Sequence, residues 1–151
     1  MDRWWRRPTR PSATSRCETF SRPRAIAAIL ADPEAHDSAE DALSRSATTI
    51  AHVAAETYSV LTRLPPPHRL DAVGAAAIVD ARLPAAQVAL SADGLGASNL
   101  ERLAAAGISA GATYDGLIAL TALEHDLELI SRDRRAARSY RALGVRFELL
   151  V

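Results

Sequence analysis

Lysine is absent from this chain of 151 residues, and all 18 of its basic residues are arginine. Alanine dominates the helical stretches, so the pair of biases points to GC-rich coding rather than to a biochemical role. Cys17 is the single cysteine. It cannot form an internal disulfide, no Cys/His cluster has zinc spacing, and a reducing cytoplasm is the expected location. No segment approaches the roughly 20 apolar residues needed to span a bilayer, so no membrane association is expected. Arg6 and Arg7 ahead of the short apolar run Ala25 to Ala31 imitate an export signal only faintly, because a Pro/Arg/Ser-rich stretch separates them. Internal repeats are missing as well.

What is present is a chain 48% hydrophobic with a formal net charge of zero, the size of one domain with a real core. The neutrality conceals two regions. Residues 1–24 carry seven arginines against Asp2 and Glu18, and the other 127 residues carry 11 arginines against 16 acids. The head, "MDRWWRRPTRPSATSRCETFSRPR", has no period of 2 or 3.6 and is broken by Pro8, Pro11 and Pro23. It reads as a disordered or aberrant basic leader. Trp4 and Trp5 among arginines could grip nucleic acid by stacking and phosphate attraction, but an unstructured or wrongly translated leader is the simpler reading.

From Ala25 to Val151 the pattern is that of a folded domain. "AIAAILA" opens a helix that Asp32-Pro33 ends, and "AEDALSRS" suggests a second. "ATTIAHV" reads as a β-branched strand feeding the helix "AAETYSVLTRL", which Pro65, Pro66 and Pro67 stop. A helix over 68–82 and the strand "AQVALS" follow. "ADGLGASNLERLAAAG" is then a helix with Gly107 just past its end, where a left-handed cap belongs. Helix 112–125, strand 127–131, helix 134–142 and strand 145–150 complete the chain. Strands alternating with helices predict βαβ units, hence an α/β domain with a parallel sheet between two helical layers.

Three acids stand where an apolar surface is expected. Asp115 shares a helix face with Ile118, Ala119 and Ala122, Asp133 closes the strand "LELIS", and Glu56 lies between Val53 and Val60 on its helix. Each has a plain structural explanation: the helix dipole for Asp115, a helix cap for Asp133, an exposed glutamate for Glu56. Together they fall at strand-exit ends, which a parallel sheet gathers on one edge. Carboxylates so gathered repel unless a cation neutralises them. Oxygen ligands suit Mg²⁺ or Mn²⁺, and metal-assisted phosphodiester hydrolysis is the natural chemistry. Arg132, Arg134, Arg135 and Arg138 flank the site as possible phosphate contacts or a solvated face. His52, Thr113 and Ser131 would stand behind the acids, and His125 near a helix end reads as a dipole partner. A receiver-like phosphoacceptor domain also gathers carboxylates, but its required lysine is missing.

"IAHVAAETYSVLTRLP" and the long stretch containing "TYDGLIALTALEHDLELISRD" resemble PIN-domain ribonucleases of the VapC toxin type, over about residues 25–150. The resemblance implies a three-layer α/β/α fold and a type II toxin that cuts RNA with Mg²⁺ or Mn²⁺ by activating a water. It also implies a homodimer and a VapB-like antitoxin partner. The family's helical glutamate matches Glu56, its "YDAL"-like aspartate Asp115, and its "TRD"-like aspartate Asp133, with Ser131 in place of threonine. Metal binding by Asp115 and Asp133, helped by Glu56, follows from the resemblance.

The first family motif is not matched. Aligned on "AIAAIL", the expected aspartate falls near Ser21, and no apolar strand precedes it. The expectation is a frameshift or altered start that removes a central strand and one metal ligand. The alternative function is therefore a catalytically impaired remnant that acts only by binding an antitoxin or itself.

Overall fold

A computed structural model describes residues 18–20, 33–46, 48–92 and 96–150. The expected helix Ala25–Ala31 and most of the leader lie outside the described residues. Five strands, β1 (Glu18–Phe20), β2 (Thr48–Ile50), β3 (Gln87–Val88), β4 (Glu128–Ser131) and β5 (Phe147–Leu149), form one sheet. Its order is β3-β2-β1-β4-β5, and every pairing is parallel.

The helices among the described residues are α1 (Pro33–Arg45), α2 (Ala51–Leu61), α3 (Ala72–Arg82), α4 (Ala97–Ala105), α5 (Ala112–Glu124) and α6 (Ala136–Leu143). The expected α/β/α layering is visible within β4, where consecutive side chains point to opposite faces. Leu129 joins a core with Ile118, Ala119, Ala122, Ala136 and Tyr140 from α5 and α6. Ile130 joins another with Ala42 and Leu43 of α1, Leu61 of α2 and Ala75 of α3. A third cluster, Leu103, Ile108 and Leu120, fixes α4 to the outer side of α5.

The structure corrects the sequence reading at several places. A strand does occupy the middle of the sheet: Thr19 pairs with Thr48 on one side and Leu129 on the other, so the sheet is not open there. Two ladders hold β1, and backbone pairing needs no apolar run. The strand expected over "ATTIAHV" ends at Ile50, and His52 and Val53 belong to α2, whose buried stripe is Val53, Thr57 and Leu61. The helix expected from residue 68 starts at Ala72 because Asp71 caps it, its side chain accepting from the Gly74 amide at 2.7 Å. The helix containing "ASNLERLAA" begins at Ala97, and β3 is shorter than "AQVALS".

Gly107 ends α4 as expected. Its φ is +67°, and the Ile108 amide donates back to the Leu103 carbonyl at 2.9 Å. Gly144 (φ +72°) closes α6 in the same way, with the Val145 amide on the Tyr140 carbonyl at 3.0 Å.

Candidate functional site

The chain runs from β1 outward to β2 and β3, then returns to β4 on the far side of β1. The strand order therefore reverses between β1 and β4, and open parallel sheets bind ligands outside the carboxyl ends of their strands at such a reversal. β4 delivers Asp133 to that edge, two residues after its last residue, Ser131. The chain leaves α5 through a turn in which the Leu127 amide donates to the Ala122 carbonyl at 2.8 Å, then enters β4. Asp115, in the first turn of α5, is thus about two and a half turns back along the helix from that corner. Ile118 and Ala119 of α5 and Ala136 of α6 lie in one core cluster. Asp115 precedes the first two by one helical turn and Asp133 precedes the third by three residues, so both acids stand beside that cluster. Each retains only 9% exposure.

Asp133 is held locally at three points. Its Oδ1 accepts from the amides of Arg135 at 2.6 Å and Ala136 at 3.1 Å, and its own amide donates to Ser131 Oγ at 3.1 Å. Asp133 therefore caps the turn Arg134–Arg135 that leads into α6, which starts at Ala136 rather than at the expected residue 134, and Ser131, wholly buried, orients that turn. Capping engages one carboxylate oxygen, so it does not contradict a second role for the side chain.

Asp115 depends on the close packing of α4 and α5. Gly116 beside it is buried, and a Cβ there would come 2.5 Å from Leu103 Cδ2 and 3.3 Å from Ile108 Cγ2. Glycine inside a helix costs about 1 kcal/mol relative to alanine. Here it permits the approach of Leu103, a requirement that "YDGL" alone did not reveal.

Glu56 is half-buried on α2. Among the described residues, no three acidic, histidine or cysteine side chains form a group able to hold a metal ion, so Glu56 does not join Asp115 and Asp133 in a closed ligand set. His52, one turn earlier on α2, makes the contact across the site: its ring stacks on Tyr114, with centroids 5.5 Å apart and planes 8° from parallel. The sequence placed His52 only behind the acids and gave Tyr114 no role.

Arg134, Arg135 and Arg138 are exposed around Asp133, and Arg132 is half-buried. Thr113 is half-buried in the first turn of α5. His125 caps the other end of that helix, and its Nε2 lies 2.9 Å from the Ala89 carbonyl; facing a carbonyl, that nitrogen must donate. An open depression of about 320 Å³ between α2 and α3, lined by Ala54, Tyr58, Ala76 and Val79, includes none of the three acids.

A parallel sheet with helices on both faces is an α/β fold, the fold class of PIN domains. The PIN-domain family model matches residues 24–142, and the chain belongs to that family. It is 42% identical to Ribonuclease VapC40 of Mycobacterium tuberculosis over 117 residues, 78% of this chain and 87% of that relative. It is 46% identical to Ribonuclease VapC27 of the same organism over 102 residues, 67% of this chain and 72% of that one. Among the described residues, no helix is long and apolar enough to cross a membrane.

Proposed function

We propose that the chain is a metal-dependent endoribonuclease, the toxin of a toxin–antitoxin pair whose partner is a VapB-like antitoxin, and that it works as a homodimer. The observation that carries the reading is the pair of buried aspartates, Asp115 and Asp133, flanking one core cluster at the strand-order reversal. The two named ribonucleases among its relatives support the reaction class.

The residues present fit Mg²⁺ or Mn²⁺ of the kind held by one or two carboxylates, water and substrate phosphate, rather than by a full protein cage. Asp115 and Asp133 would hold such an ion, and Glu56 would act directly or through a water. When bound, the ion supplies charge to the scissile phosphate and lowers the pKa of a water. The chain's own part is to fix the geometry. Ser131 and the amides of Arg135 and Ala136 set the Asp133 carboxylate, while Gly116 lets α5 lie where Asp115 reaches the edge. Arg134, Arg135 and Arg138 offer exposed cations to the RNA backbone, fixing position without reading sequence.

A second reading has its own support. Serine stands at position 21, immediately after β1, where the resemblance expects an aspartate, and the described residues hold no third converging acid. On that reading the chain binds an antitoxin or itself and cuts RNA poorly.

One assay separates the two: cleavage of single-stranded RNA with Mn²⁺ or EDTA by the chain, its Asp115→Asn form and its Ser21→Asp form. Weak, EDTA-sensitive cleavage that Asp115→Asn abolishes and Ser21→Asp raises supports the nuclease with an incomplete site. Cleavage indifferent to Asp115 or to EDTA contradicts it, and no cleavage even by Ser21→Asp favours the binding-only reading.

A further inference from the structure

We infer that Tyr114, braced by His52, is a stacking platform for an unpaired nucleobase of the RNA whose phosphate lies at Asp115. The inference rests on the nuclease reading above and assigns a residue to substrate recognition within it.

Aromatic residues make up 5% of the chain, and Tyr114 is left 54% exposed directly beside Asp115, which is 9% exposed. Consecutive helical residues point about 100° apart, so an inward Asp115 leaves Tyr114 on the flank of α5 that faces α2. There the His52 ring lies nearly parallel to the phenol in an offset stack, with centroids 5.5 Å apart. His52 follows β2 by two residues, so the stack stands at the carboxyl edge of the sheet with the acids.

Stability alone does not account for the pair. His52 Nε2 is buried without a hydrogen-bond partner, an arrangement that folding disfavours. What the stack achieves is a ring fixed in orientation before anything binds, which reduces the ordering needed on association. Single-stranded RNA is held in this way, by bases splayed onto aromatic side chains while cations track the backbone, and the exposed arginines after Asp133 supply the cations. Tyr114 is then a specificity-determining residue and His52 a positioning residue acting through it.

The test measures binding of fluorescent single-stranded RNA in Mg²⁺, with all proteins in an Asp133→Asn background to keep the RNA intact. Loss of a base stack corresponds to roughly 5- to 150-fold weaker binding. Tyr114→Ala is expected to lose about tenfold, near the low end of that range. Tyr114→Phe should bind normally, since stacking needs no hydroxyl. His52→Ala should lose part of the affinity, and His52→Phe should restore it. A walk of single abasic substitutions through the RNA should find one position where the unmodified ring loses its advantage over alanine; its effect on the Tyr114 protein requires no variant at that residue to fold. Equal binding by Tyr114→Ala and Tyr114→Phe overturns the inference, as does a loss that no abasic position removes. If every form fails to bind RNA and the chain with Asp133 intact neither binds nor cuts it, the nuclease reading falls with it; if RNA binds and Tyr114→Ala changes nothing, only the stacking role falls.

Discussion

On the β4 side of the sheet edge, Asp133 accepts from two backbone amides and donates its own amide to a wholly buried serine hydroxyl, and Asp115 sits in a helix packed through a glycine contact. On the α2 side, Glu56 is half-buried, and no hydrogen bond or ion pair holds it among the described residues. The first side is positioned by local structure that would exist without a ligand. The second meets the first turn of α5 through the His52–Tyr114 stack. The difference teaches that the two aspartates are set by folding, whereas Glu56 would have to be drawn in by whatever binds.

Asp133 should give the largest effect. Asp133→Ala removes the cap and the carboxylate together, and is expected to lower stability by about 1 kcal/mol and abolish RNA cleavage. Asp133→Asn keeps an oxygen for the Arg135 and Ala136 amides, so urea unfolding should lie near the parent while cleavage is still lost. If Asp133→Asn cleaves normally, the residue is only a cap.

Gly116→Ala comes next. A methyl group 2.5 Å from Leu103 Cδ2 must displace the buried Leu103 side chain or the helix that carries it, and overpacking of this kind typically costs about 1–3 kcal/mol. Thermal unfolding should show the loss, with reduced activity in the folded protein because Asp115 moves with its helix. An unchanged melting temperature would mean that α4 yields freely and that Gly116 does not set the position of Asp115.

Glu56→Gln should do least. A side chain with no described partner is expected to alter stability by no more than about 0.5 kcal/mol, and the loss of cleavage should be smaller than with Asp133→Asn. A larger loss would reverse the comparison and make the α2 side the stronger half of the site.

The same contrast explains what could be read in advance. Helices α4 to α6 and strand β4 were legible because their apolar periodicity, the glycine after α4 and the aspartate before α6 are local signals. β1 was not. Three residues, Glu-Thr-Phe, are too short to display alternation, and their strand state comes from ladders to β2 and β4 that are remote in sequence. The end of β2 was misplaced because Thr48, Thr49 and Ile50 run into His52 and Val53 without a break, and a β-branched residue does not announce which side of a boundary it occupies. Asp115 and Asp133 were found as inward acids on apolar elements. The need for glycine at 116 and the pairing of Tyr114 with His52 depend on contacts between separate helices, which a single sequence does not encode in any local pattern.

The central claim is that Asp115 and Asp133 form a cation site. Its most direct measurement is the melting temperature of the full chain with and without Mn²⁺, repeated for Asp115→Asn. A ligand that binds only the folded state raises its stability by mass action. The account predicts a rise that grows with Mn²⁺ concentration in the parent and disappears in Asp115→Asn. An equal rise in both proteins, or none in the parent, would contradict it.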